Sequence, residues 1–396
     1  MKKNIILSAF VVVIIGAIWY LQGLKAGPIP VNVMTDDSVA MDTFMMSDSA
    51  DASSSDTMSP EQKTSMSALQ AIASADVKAG YKRAPALTNP TGFINTEKFA
   101  LSDLVGKKVV LLDFWTYSCI NCIRTIPYLN SWYEKYHDAG LEIVGVHTPE
   151  FEFEKQYDNV KAAVEKFGIK YPVVLDSNYG TWTAYSNLYW PHEYLIDLAG
   201  YIVHDHIGEG GYAETEAEIQ KLLAERAKAL DTSMNALATS SVVIPSENVS
   251  IGQSPETYFG AARNSYLGNG ERGTVGVQTL TTPASFSLNT LYLDGTWDFE
   301  KEYAMNESAK AKIFFKYRSA KVFLVGDALE GVEITVLRDG KPIDASVAGA
   351  DVVNGKVNVK ESRLYNIVND KAGSGEHTPE LLIENSGLHA YTFTFG

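Results

Sequence analysis

Only two cysteines occur in the sequence, Cys119 and Cys122, and two residues separate them. A Cys-x-x-Cys pair can run thiol–disulfide exchange: one thiolate opens a disulfide and the second closes on the mixed disulfide that results. The pair follows Val109-Val110-Leu111-Leu112-Asp113-Phe114, a run apolar enough for a strand buried on both faces. A helical pattern comes after it, so Cys119 is expected at a helix N-terminus, where free N–H groups stabilise a thiolate. That placement carries the chemistry. Other uses of the pair fit less well. A structural disulfide over so short a loop removes little entropy from the unfolded chain. A c-type haem site needs histidine after the second cysteine, and residue 123 is Ile. Zinc would have to recruit His204 and His206, which alternate onto one strand face and more readily pack or hydrogen-bond there. Two cysteines exclude a disulfide-stapled scaffold and any four-cysteine zinc or iron–sulfur site. No metal and no cofactor beyond the Cys119–Cys122 couple is expected.

The elements that must position the pair read as alternating strands and helices. Ile126, Leu129, Tyr133 and Tyr136 give the helix after the cysteines one apolar stripe. Strands are expected over 141–146 and 171–175, with helices over 155–167 and 182–188. Residues 192–197 and 201–207 read as a hairpin around Ala199-Gly200. A closing helix over 214–230 carries the stripe Ile219, Leu222, Leu223, Ala227 and Leu230, with acids leading and bases trailing.

Asp113-Phe114-Trp115, three residues, then Cys119-x-x-Cys122 resembles the active-site stretch of thioredoxin, and Pro127 falls where that family's active-site helix is kinked. Trp190-Pro191, directly before a strand, resembles the family's cis-proline site. The wider match is to exported, membrane-tethered oxidoreductases of the TlpA/ResA type, and among these to the extracytoplasmic part of DipZ proteins. The stretches 88–96, 115–127 and 207–212 support it, and the similarity runs over roughly 81–396. The resemblance implies that Cys119 is the nucleophile and Cys122 the resolving thiol. It also implies that Asp113 is the buried acid that moves protons for Cys122, its pKa raised by burial. Trp190, Pro191 and Trp115 would then touch substrate. Ser118 stands where thioredoxins often carry Trp, which leaves the redox potential open. DipZ proteins have a multi-helix membrane domain, whereas this sequence has one apolar stretch. The expected electron donor is therefore a separate membrane carrier of the DsbD/CcdA type, and the expected substrates are disulfide-bearing exported proteins.

Lys2 and Lys3 precede an apolar run over 5–21, with Trp19 and Tyr20 at its end. Seventeen helical residues span roughly 25 Å, just short of the ~30 Å hydrocarbon core. A signal anchor over 1–26 is favoured over a cleaved signal peptide, because Leu24-Lys25-Ala26 is a poor cleavage site. Either way the rest lies outside the cytoplasm, and the anchor places it at the cytoplasmic membrane, single-pass, on the periplasmic side. Residues 27–80 hold eight acids against two lysines and six of the nine methionines, and read as a flexible linker. Those thioethers could capture Cu(I), but a solvated tether is the simpler use. The 396 residues carry a net charge of −15 with no basic cluster, which argues against nucleic acid.

After a thioredoxin-like domain over 81–231 and a hinge over 232–245, helix periodicity ends. Eight runs follow: 286–293, 297–303, 311–317, 321–325, 332–337, 364–368, 380–384 and 390–395. Turns such as Asp339-Gly340 and Asn354-Gly355 separate several of them. The fold expected over 246–396 is a β-sandwich of jelly-roll type, resembling the carbohydrate-binding-module-like end of DipZ proteins. A sugar ligand on Tyr258, Tyr266 and Trp297 is conceivable, but core packing suits these aromatics better. The overall expectation is a membrane-tethered thiol–disulfide oxidoreductase that reduces partner disulfides. Two alternatives stand beside it. Thr116-x-x-Cys119 matches half of a peroxiredoxin signature, although Leu112 occupies its proline position. A non-catalytic sugar-binding or adhesive module is the other, and the intact cysteine pair argues against it.

Overall fold

The computed structural model describes residues 60–232 and 254–396. The proposed anchor, the linker up to 59 and most of the hinge lie outside the described residues. Among the described residues no helix is long and apolar enough to cross a membrane.

The chain enters through α1 (Pro60–Ala79), then β1 (Lys82–Arg83), β2 (Gly92–Ile94), β3 (Val109–Trp115), α2 (Ile120–Tyr136) and β4 (Leu141–His147). It continues through α3 (Tyr157–Lys166), β5 (Val173–Leu175), α4 (Gly180–Ala184), β6 (His192–Ile196), β7 (Tyr201–Ile207) and α5 (Tyr212–Ala229). The seven strands form one mixed sheet in the order β1-β7-β6-β3-β4-β5-β2. At its centre, β3 runs parallel to β4 and antiparallel to β6. Every residue of β3 is buried, and its side chains alternate between two apolar clusters. Val109, Leu111 and Trp115 join Ile126, Leu129 and Trp132 of α2 and Ile219, Leu222 and Leu223 of α5. Val110, Leu112 and Phe114 face the other way, onto Tyr185, Tyr194 and Ile196. A strand apolar on both faces is what a sheet covered on both sides requires.

Three expectations change. Residues 60–79 are helical where a flexible segment was expected: Pro60 opens the helix, where a missing N–H costs nothing, and five alanines sustain it. The helix expected over 155–167 is a 3₁₀ turn, Glu152–Lys155, followed by α3, because the chain is extended at Gln156. The short helix near 182–188 starts earlier, at Gly180. Its start is set by Asp176, which accepts from the N–H groups of Thr181 and Trp182 at 2.9 and 2.8 Å.

The C-terminal region is β-rich. Its strands are β8 (Thr257–Tyr258), β9 (Gly276–Leu280), β10 (Thr290–Phe299), β11 (Ala304–Asn306), β12 (Ala311–Ser319), β13 (Lys321–Asp327), β14 (Val332–Arg338), β15 (Lys341–Pro342), β16 (Lys356–Val359), β17 (Arg363–Asn369), β18 (Gly375–His377), β19 (Pro379–Ile383) and β20 (His389–Phe395). The runs expected at 286–293 and 297–303 are not separate strands: they merge into β10. Its first half pairs with β12 and its second half with β9 and β11. Gly295 marks the change at φ +100°, and a Cβ there would meet the Ser308 Oγ at 2.6 Å. Asp339-Gly340 and Asn354-Gly355 both hold positive φ in tight turns, as their composition implies. Trp297 is wholly buried among Phe299, Phe315 and Phe393, so it packs a core and offers no ligand platform.

The β-rich region packs against the residues that flank the cysteine pair. Phe151 and Phe153 stack edge-on against Tyr391 at 5.0 and 4.8 Å, with Val325 and Leu364 around them. Glu150 accepts from Tyr258 at 2.8 Å and from Arg263 at 2.7 Å. Tyr117, two residues before Cys119, donates to the Ser362 carbonyl at 3.2 Å.

Candidate active site

β3 ends at Trp115 and α2 begins at Ile120, so the first cysteine sits on the turn between them. Cys119 is the residue that caps α2, in extended conformation, and its Sγ accepts from the Cys122 N–H at 3.4 Å. Both cysteines are free thiols; Cys119 is half-buried and Cys122 is 1 % exposed. Burial pushes the Cys122 thiol well above its ordinary range, and neighbouring Cys119 and Asp113 push the same way. Pro127 lies inside α2, where it has no N–H to give the helix ladder.

The Trp190–Pro191 peptide is cis. Its Trp190 carbonyl faces the nucleophile, 3.9 Å from the Cys119 Sγ. The Trp190 indole N–H donates to the Thr148 carbonyl at 3.1 Å, and its ring lies 4.3 Å from that of Trp182. Leu188 and Tyr189, just before it, are exposed. Cys119, Trp190 and Pro191 thus come together at one end of the central strands β3 and β6. Trp115 does not join them. It is 0 % exposed, packed edge-on to His147 at 5.1 Å, because its position on β3 points it into the core beneath the pair. The substrate contact expected of it is not available.

Asp113 lies on the same face of β3, 1 % exposed, with its Oδ1 unpaired by any described residue. Burial alone raises its carboxyl to about 8. Its cross-strand partner on β6 is Glu193, also 1 % exposed and also raised by burial, then by Asp113. Sequence reasoning missed Glu193. A signal was present: it alternates with core-facing Leu195 on a strand, where an acid has no reason to be unless it is used.

The cysteine turn itself rests on a second missed acid. Glu154, 0 % exposed, accepts from the Ser118 Oγ at 2.6 Å and from the Phe151 N–H at 3.0 Å. Its carboxyl is raised by burial against the pull of those hydrogen bonds. His147 lies beneath Tyr117, ring to ring at 5.7 Å, and burial lowers its imidazole to about 3, so it stays neutral there. On the far side, Arg124 of α2 clamps Glu209 through two hydrogen bonds of 2.8 and 3.0 Å, which ties the loop after β7 to the active-site helix.

Two sequence-family models match, one described as the AhpC/TSA family over residues 81–205 and one as a thioredoxin-like C-terminal domain over 254–396. Thiol-disulfide oxidoreductase YkuV of Bacillus subtilis is 31 % identical over 141 residues, 36 % of this chain and 94 % of that protein. Thiol-disulfide oxidoreductase ResA of Bacillus cereus is 33 % identical over 133 residues, 31 % of this chain and 74 % of its own length. The chain belongs to the thioredoxin-like thiol-disulfide oxidoreductases. Protein DipZ of Mycobacterium tuberculosis is 37 % identical over 317 residues, covering 79 % of this chain, and the match spans 43 % of that relative's length. The DipZ likeness therefore runs through both the oxidoreductase segment and the β-rich region.

A first expected result follows from the burial difference within this oxidoreductase pair. Alkylation of the reduced protein near neutral pH should modify Cys119 first, since Cys122 is inaccessible and its thiolate disfavoured. Mass-spectrometric mapping after partial labelling reads the order directly. Cys122 labelled ahead of Cys119 would reverse the roles.

Proposed function

We propose that this protein is a membrane-tethered, extracytoplasmic oxidoreductase that reduces disulfides of partner proteins through Cys119 and Cys122. The observation that carries this reading is the asymmetry of the pair: an accessible helix-capping thiol under the Trp190 carbonyl, and a buried thiol beside a buried acid. The Cys119 thiolate attacks a substrate sulfur, the substrate S–S bond breaks, and the released sulfur leaves as thiolate and takes a proton from solvent. Asp113, when ionised, takes the proton of Cys122, whose sulfur then attacks Cys119. The Cys119–substrate bond breaks, the substrate departs as a dithiol, and the enzyme holds the two-electron-oxidised pair. Trp190 and Pro191 offer backbone to an extended substrate segment.

Re-reduction of the oxidised Cys119–Cys122 pair needs an incoming thiol, and a membrane carrier of the DsbD/CcdA type suits an exported location. The anchor over 1–26 and the domain limits at 81–231 and 246–396, the latter a jelly-roll-like sandwich, belong to the same proposal. The experiment is a trap. In cells, a Cys122→Ser variant should accumulate mixed disulfides through Cys119, with substrates and a membrane carrier among the captured proteins. A full chain that captures nothing, or that turns over peroxide faster than protein disulfides, would defeat the reading.

A further inference from the structure

A buried thiol that loses its proton in every cycle needs a route by which that proton reaches water. Asp113, Glu193 and His206 are successive cross-strand partners on β3, β6 and β7, so all three side chains project from the same face of the sheet. Side chains paired in this way have Cβ atoms about 4.5–5.5 Å apart, close enough for contact directly or through one bridging water. Exposure rises outward along the row: Asp113 and Glu193 are each 1 % exposed, and His206 is half-buried. Each member also presents an atom that no described residue pairs: the Asp113 Oδ1, the Glu193 Oε2 and the His206 Nε2. The His206 ring lies against Gly211 at the start of α5, where a Cβ would fall 2.4 Å from its Cε1. Three unpaired polar atoms in a line that begins beside Cys122 are costly to bury without a purpose.

We propose that Asp113, Glu193 and His206 form a proton path that carries the Cys122 proton across the sheet to the protein surface. It rests on the oxidoreductase reading above and extends it. As Cys122 attacks, its S–H bond breaks and the proton passes to the ionised Asp113. Asp113 hands a proton to one oxygen of Glu193 while Glu193 releases its own to the His206 imidazole, which passes one to solvent. One proton enters and one leaves, so each group returns to its starting state. The groups around the two acids suit such a hand-over. Asp113 is faced by Cys122 from α2, by Tyr171 at the entry to β5 and by Glu193; Glu193 is faced by Asp113, Tyr171, Tyr212 and the Thr215 hydroxyl of α5. Two desolvated carboxyls so placed hold at most one negative charge between them, which keeps a proton in the row to be exchanged. Glu193 and His206 act through Asp113 and never touch sulfur.

The test separates the two sulfur steps in the full-length protein. Reduced enzyme is mixed with a small aromatic disulfide, and formation of the mixed disulfide at Cys119 is timed apart from its resolution by Cys122. Glu193→Gln and His206→Gln should leave the first step at its wild-type rate. Each should slow the second by about 10-fold, less than the ~10²-fold or more of a direct acid–base group because both act through Asp113. In both variants resolution should then accelerate with the concentration of imidazole buffer, whereas the wild-type rate should not. A merely structural defect gives no such buffer rescue. If both variants resolve at the wild-type rate, or slow without rescue, the path is wrong. His206→Gln, on a half-exposed position, decides the matter alone if Glu193→Gln does not fold. Failure of the parent reading looks different: no mixed disulfide forms at Cys119 in any version of the protein.

Discussion

Replacing Asp113 by asparagine should give a protein that is more stable at pH 8 and about 100-fold slower in resolving mixed disulfides. Both effects come from one buried carboxyl. Its pKa is about 8 in the folded chain against a usual value of 3.8, so the folded state binds more protons than the unfolded state across that interval. Stability therefore falls as pH rises from about 4 to 8 and levels off above, where the cost of the buried charge is of the order of 5 kcal/mol. Asparagine has nearly the same shape and nothing to ionise. The variant should lose about 1.4 kcal/mol per pH unit of that slope, which urea unfolding at a series of pH values will read as a difference from wild type. Glu193 stays, so a downward slope persists from its own raised carboxyl. The kinetic half has its own readout. Formation of the Cys119 mixed disulfide should be little changed, while the resolution step should lose its titration near pH 8. A variant with the wild-type slope and the wild-type resolution rate would remove Asp113 from the chemistry.

Asp113 was legible from the sequence because everything that defines it is local. It alternates with Val109 and Leu111, it precedes Phe114 and Trp115, and the cysteine pair follows within nine residues. The same holds for Cys119 at the head of α2. Trp190-Pro191 was legible by resemblance. Glu193 and Glu154 escaped because their meaning is set by pairing across long sequence separations. Glu193 matters only once β6 lies antiparallel to β3, 80 residues away, and Glu154 only once the 3₁₀ turn is folded back under Ser118. Trp115 misled for the related reason that motif position does not tell which face of β3 a side chain takes. α1 escaped because it lacks a strong apolar stripe and lies within the Ser-, Asp- and Met-biased stretch 27–80, although its five alanines sustain a helix. In β10, two expected strands were one, since the Gly295 break that separates them in composition redirects the strand without ending it.

Truncating Tyr391 to alanine should destabilise the protein by about 3–5 kcal/mol and disturb exchange at cysteines far along the chain from it. Tyr391 is 5 % exposed on β20, packed edge-on against the stacked rings of Phe151 and Phe153, and its hydroxyl donates to Asp327 at 3.2 Å. The same Phe151 supplies the N–H that holds Glu154, and Glu154 holds Ser118 next to Cys119. A void behind Phe151 therefore has a short mechanical route to the nucleophile: the phenyl ring shifts, the Glu154 carboxyl loses a donor, and Ser118 loses its anchor. Tyr391→Phe keeps the packing and removes only the hydroxyl, so it should cost no more than about 1.5 kcal/mol and leave exchange intact. Urea unfolding gives the stability difference, and single-turnover attack by Cys119 on a small disulfide gives the coupling. Should Tyr391→Ala unfold in separate steps with unchanged attack at Cys119, the β-rich region would be a passenger. If attack changes in step with the lost packing, that region is a fixed wall of the catalytic site, and the thioredoxin-like segment owes part of its active-site geometry to strands nearly 240 residues further along the chain.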